Sequence, residues 1–289
     1  METNHDKPNV EDCAKIAARY MTTVDTEDFI PKDIRELYEV HNYRSAAQVL
    51  ATGCKSEFQE LIEALRSFRL TLADIRKPGG NESDIPKRIS ELLRAKEWKE
   101  TRIKGDLLIQ KISGSAGSNK RKKTSDDELE EDEVDTLENM EELRRKGYAV
   151  EQIKRENFLD GHKVDYVKHR VAFDMEWNSK DQTFDRDLYA FRAFHECDLI
   201  DAAVLLTRSA SLNPVFNKLG PELNSDGTPK TDKSGKPKLL KTKYGASTTW
   251  MGKLLYRLNA GRHGGCPVLV LGITPKLITD WAEYEKANS

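Results

Sequence analysis

The sequence predicts a mixed α/β fold: a central mixed β-sheet flanked by helices. Three observations carry that expectation. Residues 163–178 form two alternating segments joined by a polar turn. Two later runs, Asp201–Thr207 and Pro267–Ile273, are nearly continuously apolar, as strands buried on both faces are. Elsewhere apolar residues recur at helical spacing. The order hairpin, helix, strand, loop, helix, strand suits a sheet covered by helices.

In chain order, residues 1–33 are polar and weakly periodic, and read as a tail or a small helical appendage. Ile34–Val40 reads as a strand and Ala46–Leu50 as a short helix. Glu57–Phe68 is a helix whose stripe is Phe58, Leu61, Ile62, Leu65 and Phe68. Lys77–Asn81 is a loop, and Pro86 opens a helix over Ile85–Lys96. Leu107–Ile112 reads as a strand. Ser113–Asp135 is low complexity and buries too little apolar surface to order itself. Leu137–Asn157 returns to a helical pattern. After the hairpin, Ser179–Thr183 is a turn and Phe184–Glu196 a helix bearing Arg186, Asp187, Arg192 and His195. Pro221–Lys243 is a Gly-, Pro- and Lys-rich loop. Gly245–Thr249 caps a helix over Trp250–Asn259, and residues 275–286 form a last helix. No internal repeat is apparent.

Composition narrows the class. With 37% hydrophobic and 33% charged residues the chain is a globular protein with polar extensions. It has no apolar run of bilayer length and no basic-then-apolar start, so the expected compartment is the cytoplasm, with no membrane partner. The cysteines Cys13, Cys54, Cys197 and Cys266 form no C-x-x-C pair, which argues for free thiols. The net charge of −2 misleads as a global figure. Residues 126–138 hold nine acids and no base, so the remainder carries +7. Between Thr228 and Lys243 six lysines face one aspartate. Local field is what attracts phosphate, although such a loop is also often a solvated excursion.

The chemistry concentrates in the hairpin. Val171, Phe173, Met175 and Trp177 alternate with Ala172, Asp174, Glu176 and Asn178, giving one apolar and one acidic face. With the turn centred on His169–Arg170, Asp165 falls opposite Asp174, and opposed residues share a face. Asp165, Asp174 and Glu176 then converge. Unpaired carboxylates repel, and a hard divalent cation such as Mg²⁺ relieves that repulsion. Spacing alone admits a plain solvated acidic face equally well.

These residues also carry a resemblance. Val164–Asp165–Tyr166–Val167–Lys168–His169–Arg170–Val171–Ala172–Phe173, followed by Asp174-x-Glu176–Trp177–Asn178-x-Lys180–Asp181, resembles the active-site region of the BglII/BstYI group of type II restriction endonucleases. So do Phe184–Leu188, Lys243–Leu254 and Gly264–Ile273, with Trp98–Lys99–Glu100 a weaker match. The likeness spans about residues 34–280. It implies a PD-(D/E)xK nuclease core over residues 34–289, with an insertion at 113–135 and the Lys-rich loop at 221–243. It further implies a homodimer acting on double-stranded DNA at a short palindrome, with relatives reading sites around a GATC core. Mg²⁺ is the implied cofactor, and a cognate DNA methyltransferase is expected in the host without a stable complex.

Carried over, Asp165 corresponds to the metal-binding Asp of the first strand, Asp174 to the first acid of the next, and Glu176 to the residue two further on. Glu176 stands where most of the superfamily has Lys, so the general base is either Glu176 or water alone. Glu100 is a weak candidate for a further carboxylate; an exposed helix-end Glu is the plainer reading. For DNA contact the candidates are Lys180, Asp181 and Arg186, with Ser247, Thr248 and Thr249 at a helix N-terminus. Rival readings are a repair or structure-specific nuclease on the same core, a catalytically inactive DNA-binding relative, and a two-carboxylate glycosidase.

Overall fold

The computed structural model describes residues 28–77, 84–114 and 140–288. The tail through residue 27, the loop past Lys77 and most of the expected insertion at 113–135 lie outside them. Among the described residues, Cys54, Cys197 and Cys266 are free. No helix among them is long and apolar enough to cross a membrane.

The chain divides into two compact units, residues 1–102 with 162–289, and residues 103–161. In the first, α1 (Lys32–Leu37) and β1 (Tyr38–Tyr43) replace the single strand expected at Ile34–Val40. Ile34 is buried as the core-facing residue of a helical turn, whose first N–H groups donate to the Pro31 carbonyl. Next come α2 (Ala46–Gly53), α3 (Lys55–Ser67), α4 (Leu72–Arg76) and α5 (Asp84–Arg94). The α3 stripe Phe58, Leu61, Ile62 and Leu65 is buried as expected. A capping box of Thr71 and Asp74 opens α4.

β2 (Lys99–Ser113) and β3 (Ala149–Lys168) each run from one unit into the other, with α6 (Met140–Arg145) between them in sequence. Then follow β4 (Val171–Glu176), α7 (Thr183–Glu196), β5 (Ala202–Arg208), α8 (Asn213–Lys218), α9 (Leu240–Lys243), α10 (Met251–Asn259), β6 (Val268–Ile273) and α11 (Trp281–Ala287). The expected helix at 275–286 is instead a 3₁₀ turn, Pro275–Leu277, followed by α11.

Among the described residues the sheet has six strands, in the order β1-β6-β5-β4-β3-β2. β4, β5 and β6 are parallel, with Asp174 beside Leu205 and Leu205 beside Val270. β1 and β3 are antiparallel to their neighbours. The sheet is therefore mixed, as the sequence predicts. β5 and β6 are buried throughout, which their aliphatic runs allow. So is β4, although half of its residues were expected to form an acidic face. Its odd-numbered side chains join a core with α3, Val204 and Leu269, while α7 packs on the strand. Fully burying one such Leu or Phe contributes about 1.5–3 kcal/mol.

The second unit comprises residues 103–113 of β2, α6 and residues 149–161 of β3. Sequence periodicity predicts a helix over Leu137–Asn157. The structure ends that helix at α6, where Gly147 adopts φ +92°, and continues as strand. The strand's charges are matched across strands by exposed ion pairs, which contribute little individually: Lys154 bridges Asp106 at 2.9 Å, and Lys111 reaches Glu151 at 3.5 Å.

Candidate active site

The β3–β4 hairpin turns at His169 and Arg170, with His169 at φ +45°. Tyr166 pairs with Phe173, Val167 with Ala172 and Lys168 with Val171. One step further the ladder changes character. The Asp165 N–H donates to Oδ1 of Asp174 at 2.9 Å, so a side chain takes the bond in place of a backbone carbonyl. This fixes one oxygen of Asp174, which is buried, while Asp165 itself is exposed.

Two residues on, Glu176 ends β4 and is also buried. The Thr207 hydroxyl donates to its backbone carbonyl at 2.8 Å, and Arg208 Nε donates to the carbonyl of Trp177 at 2.6 Å. The end of β4 is thus pinned by the end of β5.

A third buried acid, Asp187, comes from the second turn of α7 and is 1% exposed. Sequence reasoning missed it as a site residue. The signal was present: Asp187 sits at helical spacing between Phe184 and Phe191, a charge in the middle of an apolar stripe. Arg186 donates to Asp187 Oδ1 through Nε at 3.1 Å and Nη2 at 2.9 Å, and lies 3.5 Å from Glu176 Oε1.

One guanidinium thus faces three buried acids. Burial, then the charges of Asp187 and Asp165, push the Asp174 carboxyl well above its usual range. Burial and the neighbouring Glu176 do the same to Asp187. Burial raises Glu176 too, against hydrogen bonding from Ser179 and the charge of Arg186. Three buried oxygens in and beside this cluster have no hydrogen-bond partner: Glu176 Oε2, Asp187 Oδ2 and Asn178 Oδ1. Such groups are costly unless something arrives to satisfy them. All three are hard oxygen donors, the type a Mg²⁺-like ion takes. The donor set fits such an ion in kind, but it is not assembled as a shell. Among the described residues no group of three or more His, Cys, Asp or Glu is arranged to hold a metal. One oxygen of each of Asp174 and Asp187 is already taken, by the Asp165 amide and by Arg186.

Asp165, Glu176 and Asn178 open onto a cleft of about 930 Å³, lined also by α4, α5 and residues 223–227. Glu100 lines it as well, from β2 rather than from a helix end, and pairs with Lys163 at 2.6 Å. Lys243 lines the same cleft and caps the last carbonyls of α4, donating to Lys77 O at 2.5 Å. Burial lowers its amine to about 8.

The six residues expected at DNA fare unevenly. Lys180 and Ser247 are exposed. Arg186 is exposed but engaged by Asp187 and Glu176. Asp181 faces Lys253 and Arg257, each at 3.5 Å. Thr249 is fully buried, and the Thr248 hydroxyl donates to Gly245 O and accepts from Arg208. None of the three hydroxyls caps the following helix: α10 starts after Trp250, with no side-chain cap.

The chain thus has a mixed sheet with buried acids at the end of a central parallel strand, beside a wide cleft. Residues 38–273 match the family of the restriction endonucleases BglII/BglIII, and the chain belongs to that family. The match begins at the first residue of β1 and ends at the last of β6, so it encloses the whole sheet. The protein is accordingly a site-specific, DNA-cleaving hydrolase of type II, acting on double-stranded DNA. Enzymes of this family generally use a divalent metal. Membership sets aside the glycosidase reading. No curated protein matches the chain.

Proposed function

We propose that the protein cuts duplex DNA at a short palindrome, with relatives' GATC core as the first candidate, and does so as a Mg²⁺-dependent homodimer. It would act in the cytoplasm as half of a restriction–modification pair, with a separate methyltransferase protecting host sites. The observation that carries the reading is the cluster of buried acids Asp174, Glu176 and Asp187, with Glu176 at the cleft and Glu176 Oε2 and Asp187 Oδ2 left without a hydrogen-bond partner among the described residues.

Asp165, Asp174 and Glu176 would hold the ion, with Asn178 and Asp187 beside them. A bound divalent ion supplies positive charge to the scissile phosphate and lowers the pKa of water. The chain's own residues do the rest. The Asp165 amide keeps the Asp174 carboxylate turned toward the site. Thr207 and Arg208 keep the strand end, and with it Glu176, from swinging away. Glu176, raised by burial, is suited to take a proton from the attacking water, and water alone is the other base available. Of the six residues expected at DNA, Lys180 and Ser247 are the exposed ones that no described residue engages through the side chain, and they would meet the duplex. A two-fold dimer would meet a palindrome with one subunit per half-site.

The test is digestion of DNA of known sequence with Mg²⁺, with EDTA as control, followed by mapping of the ends. Discrete fragments with two-fold related ends are expected. A ladder of random lengths, or cutting confined to branched DNA, would sink the palindrome and favour a structure-specific nuclease. Sedimentation at micromolar concentration tests the dimer.

A further inference from the structure

The Lys-rich loop is more ordered than its composition suggests. Gly227–Thr228–Pro229–Lys230 and Gly235–Lys236–Pro237–Lys238 repeat a G-x-P-K unit eight residues apart. The repeat is structural as well. The Asn224 N–H donates to Thr228 O at 2.8 Å and Gly227 N–H to Asn224 O at 3.0 Å; eight residues on, Asp232 N–H donates to Lys236 O and Gly235 N–H to Asp232 O at the same two distances. The glycines sit at φ +82° and +79°, left-handed backbone that favours glycine. An aspartate folds each turn: Asp226 accepts from Thr228 N–H and hydroxyl, and Asp232 from Ser234 N–H and hydroxyl.

The two units close into a ring. Lys230 N–H donates to Glu222 O, Lys238 N–H to Lys230 O, and Glu222 N–H to Lys238 O, each at 2.8 Å. At its centre the buried Glu222 carboxylate gathers Lys230 at 3.2 Å, Lys238 at 3.6 Å and Lys243 at 4.0 Å. The six lysines therefore divide into two sets. Three serve the ring. Lys233, Lys236 and Lys241 are exposed and make no ion pair with any described residue. The base of the arm, from Leu223 to Gly227, lines the same cleft as Asp165 and Glu176.

We infer that residues 221–243 are a preformed clamp for the DNA phosphate backbone, with Lys233, Lys236 and Lys241 as its contacts. This rests on the reading of the protein as a duplex cutter. Lysine ammonium groups act on phosphates as point charges and carry little base information, so the clamp supplies affinity and register rather than sequence choice. Ordering a free loop of this length on DNA would weaken binding, and the ring and its two turns remove most of that cost beforehand.

The experiment measures binding of a short duplex carrying the cleavage site, in Ca²⁺, as a function of KCl, for the wild type and for the triple variant K233Q/K236Q/K241Q. Each phosphate contact contributes about 0.9 to the slope of log affinity against log salt. The triple variant is expected to lose about 2–3 from that slope and to bind at least ~10-fold more weakly in 100 mM salt, while its single-turnover cleavage at saturating DNA stays within ~3-fold of wild type. Gly235→Ala is the second variant. Its Cβ would meet nothing within 4 Å, so it strains the turn without removing charge. A several-fold loss of affinity is expected from it, with circular dichroism unchanged. An unaltered salt slope in the triple variant overturns the clamp and leaves the proposed function standing. A wild type that binds no duplex overturns both. Full affinity in Gly235→Ala overturns the preformed character.

Discussion

Two buried carboxylate sites in this molecule have opposite company. Glu222 is 2% exposed and has three lysines within 4.0 Å. Burial pushes its carboxyl up, but the hydrogen bond from Lys230 and the charges of Lys243, Lys230 and Lys238 outweigh it and hold the group below its usual range. Asp174, Asp187 and Glu176 share one guanidinium among three acids, and all three are raised. In the first, three lysines answer the charge, with Lys238 standing 3.6 Å from Oε2, the one oxygen that accepts no hydrogen bond, and the site serves the shape of a loop. The second is complete only when a further positive charge arrives. Burial alone does not distinguish a structural acid from a functional one; the count of answering charges does.

The sharpest way to break the contrast is Asp174→Asn. Under the proposed function, cleavage should fall by about a thousandfold or more, since several kcal/mol of charge stabilisation are lost. The metal-free fold should gain roughly 1 kcal/mol, because asparagine still accepts from the Asp165 amide and carries no charge. Urea melts in EDTA beside single-turnover cleavage measure both. A variant that cuts well would remove Asp174 from the chemistry.

Glu222→Gln should do the reverse. It strands three ammonium groups and costs on the order of 1–3 kcal/mol, discounted because the lysines reach water, while single-turnover cleavage at saturating DNA changes little. A melt indistinguishable from wild type would mean that the ring holds without its acid.

The pH profile separates the two sites again. The raised carboxyls bind more protons folded than unfolded, so their contribution to stability is fully present below the unfolded pKa of about 4 and is lost as pH climbs through their raised values. Glu222 runs the other way, contributing above about pH 4 and losing its contribution on acidification. In EDTA, the advantage of Asp174→Asn over wild type should therefore widen between pH 4.5 and 7.5, and a divalent ion should close it. A constant gap would mean that Asp174 is ionised throughout.

The smallest effect expected is at Arg186, whose guanidinium already stands among the acids. Arg186→Gln removes a competing cation from an exposed position, so Ca²⁺ should bind the DNA-free protein about threefold more tightly by titration calorimetry. Weaker Ca²⁺ binding would make Arg186 a support of the site instead.

Much of this was legible in the sequence, for identifiable reasons. The turn at His169–Arg170, the register of Tyr166 with Phe173 that leads Asp165 to Asp174, and the strands β5 and β6 follow from periodicity and apolar runs, which burial in a sheet imposes directly. What escaped were features decided by partners distant in sequence. Residues 149–157 look helical because their charges cluster, yet Glu151 and Lys154 are matched across strands by Lys111 and Asp106. Nothing local reveals that α7 covers β4, so that the face bearing Asp174 and Glu176 is buried. The same packing brings in Asp187, invisible to any motif built on the hairpin alone. The repeat in the arm shares only Gly, Pro and Lys across its two units, and its identity lies in hydrogen bonds rather than side chains.

Arg208 has one more implication. It is 1% exposed, has no carboxylate among its hydrogen-bond acceptors, and stacks against Trp177, Phe216 and Tyr244. Its donors go to Trp177 O on one side and to Thr248 Oγ1 and Thr249 O on the other. A single side chain thereby rivets the segment before α10 to the residue next to Glu176. Anyone grafting a new 247–249 loop to change what is bound should find turnover drifting in the same variants, and would do well to redesign the rivet along with the loop.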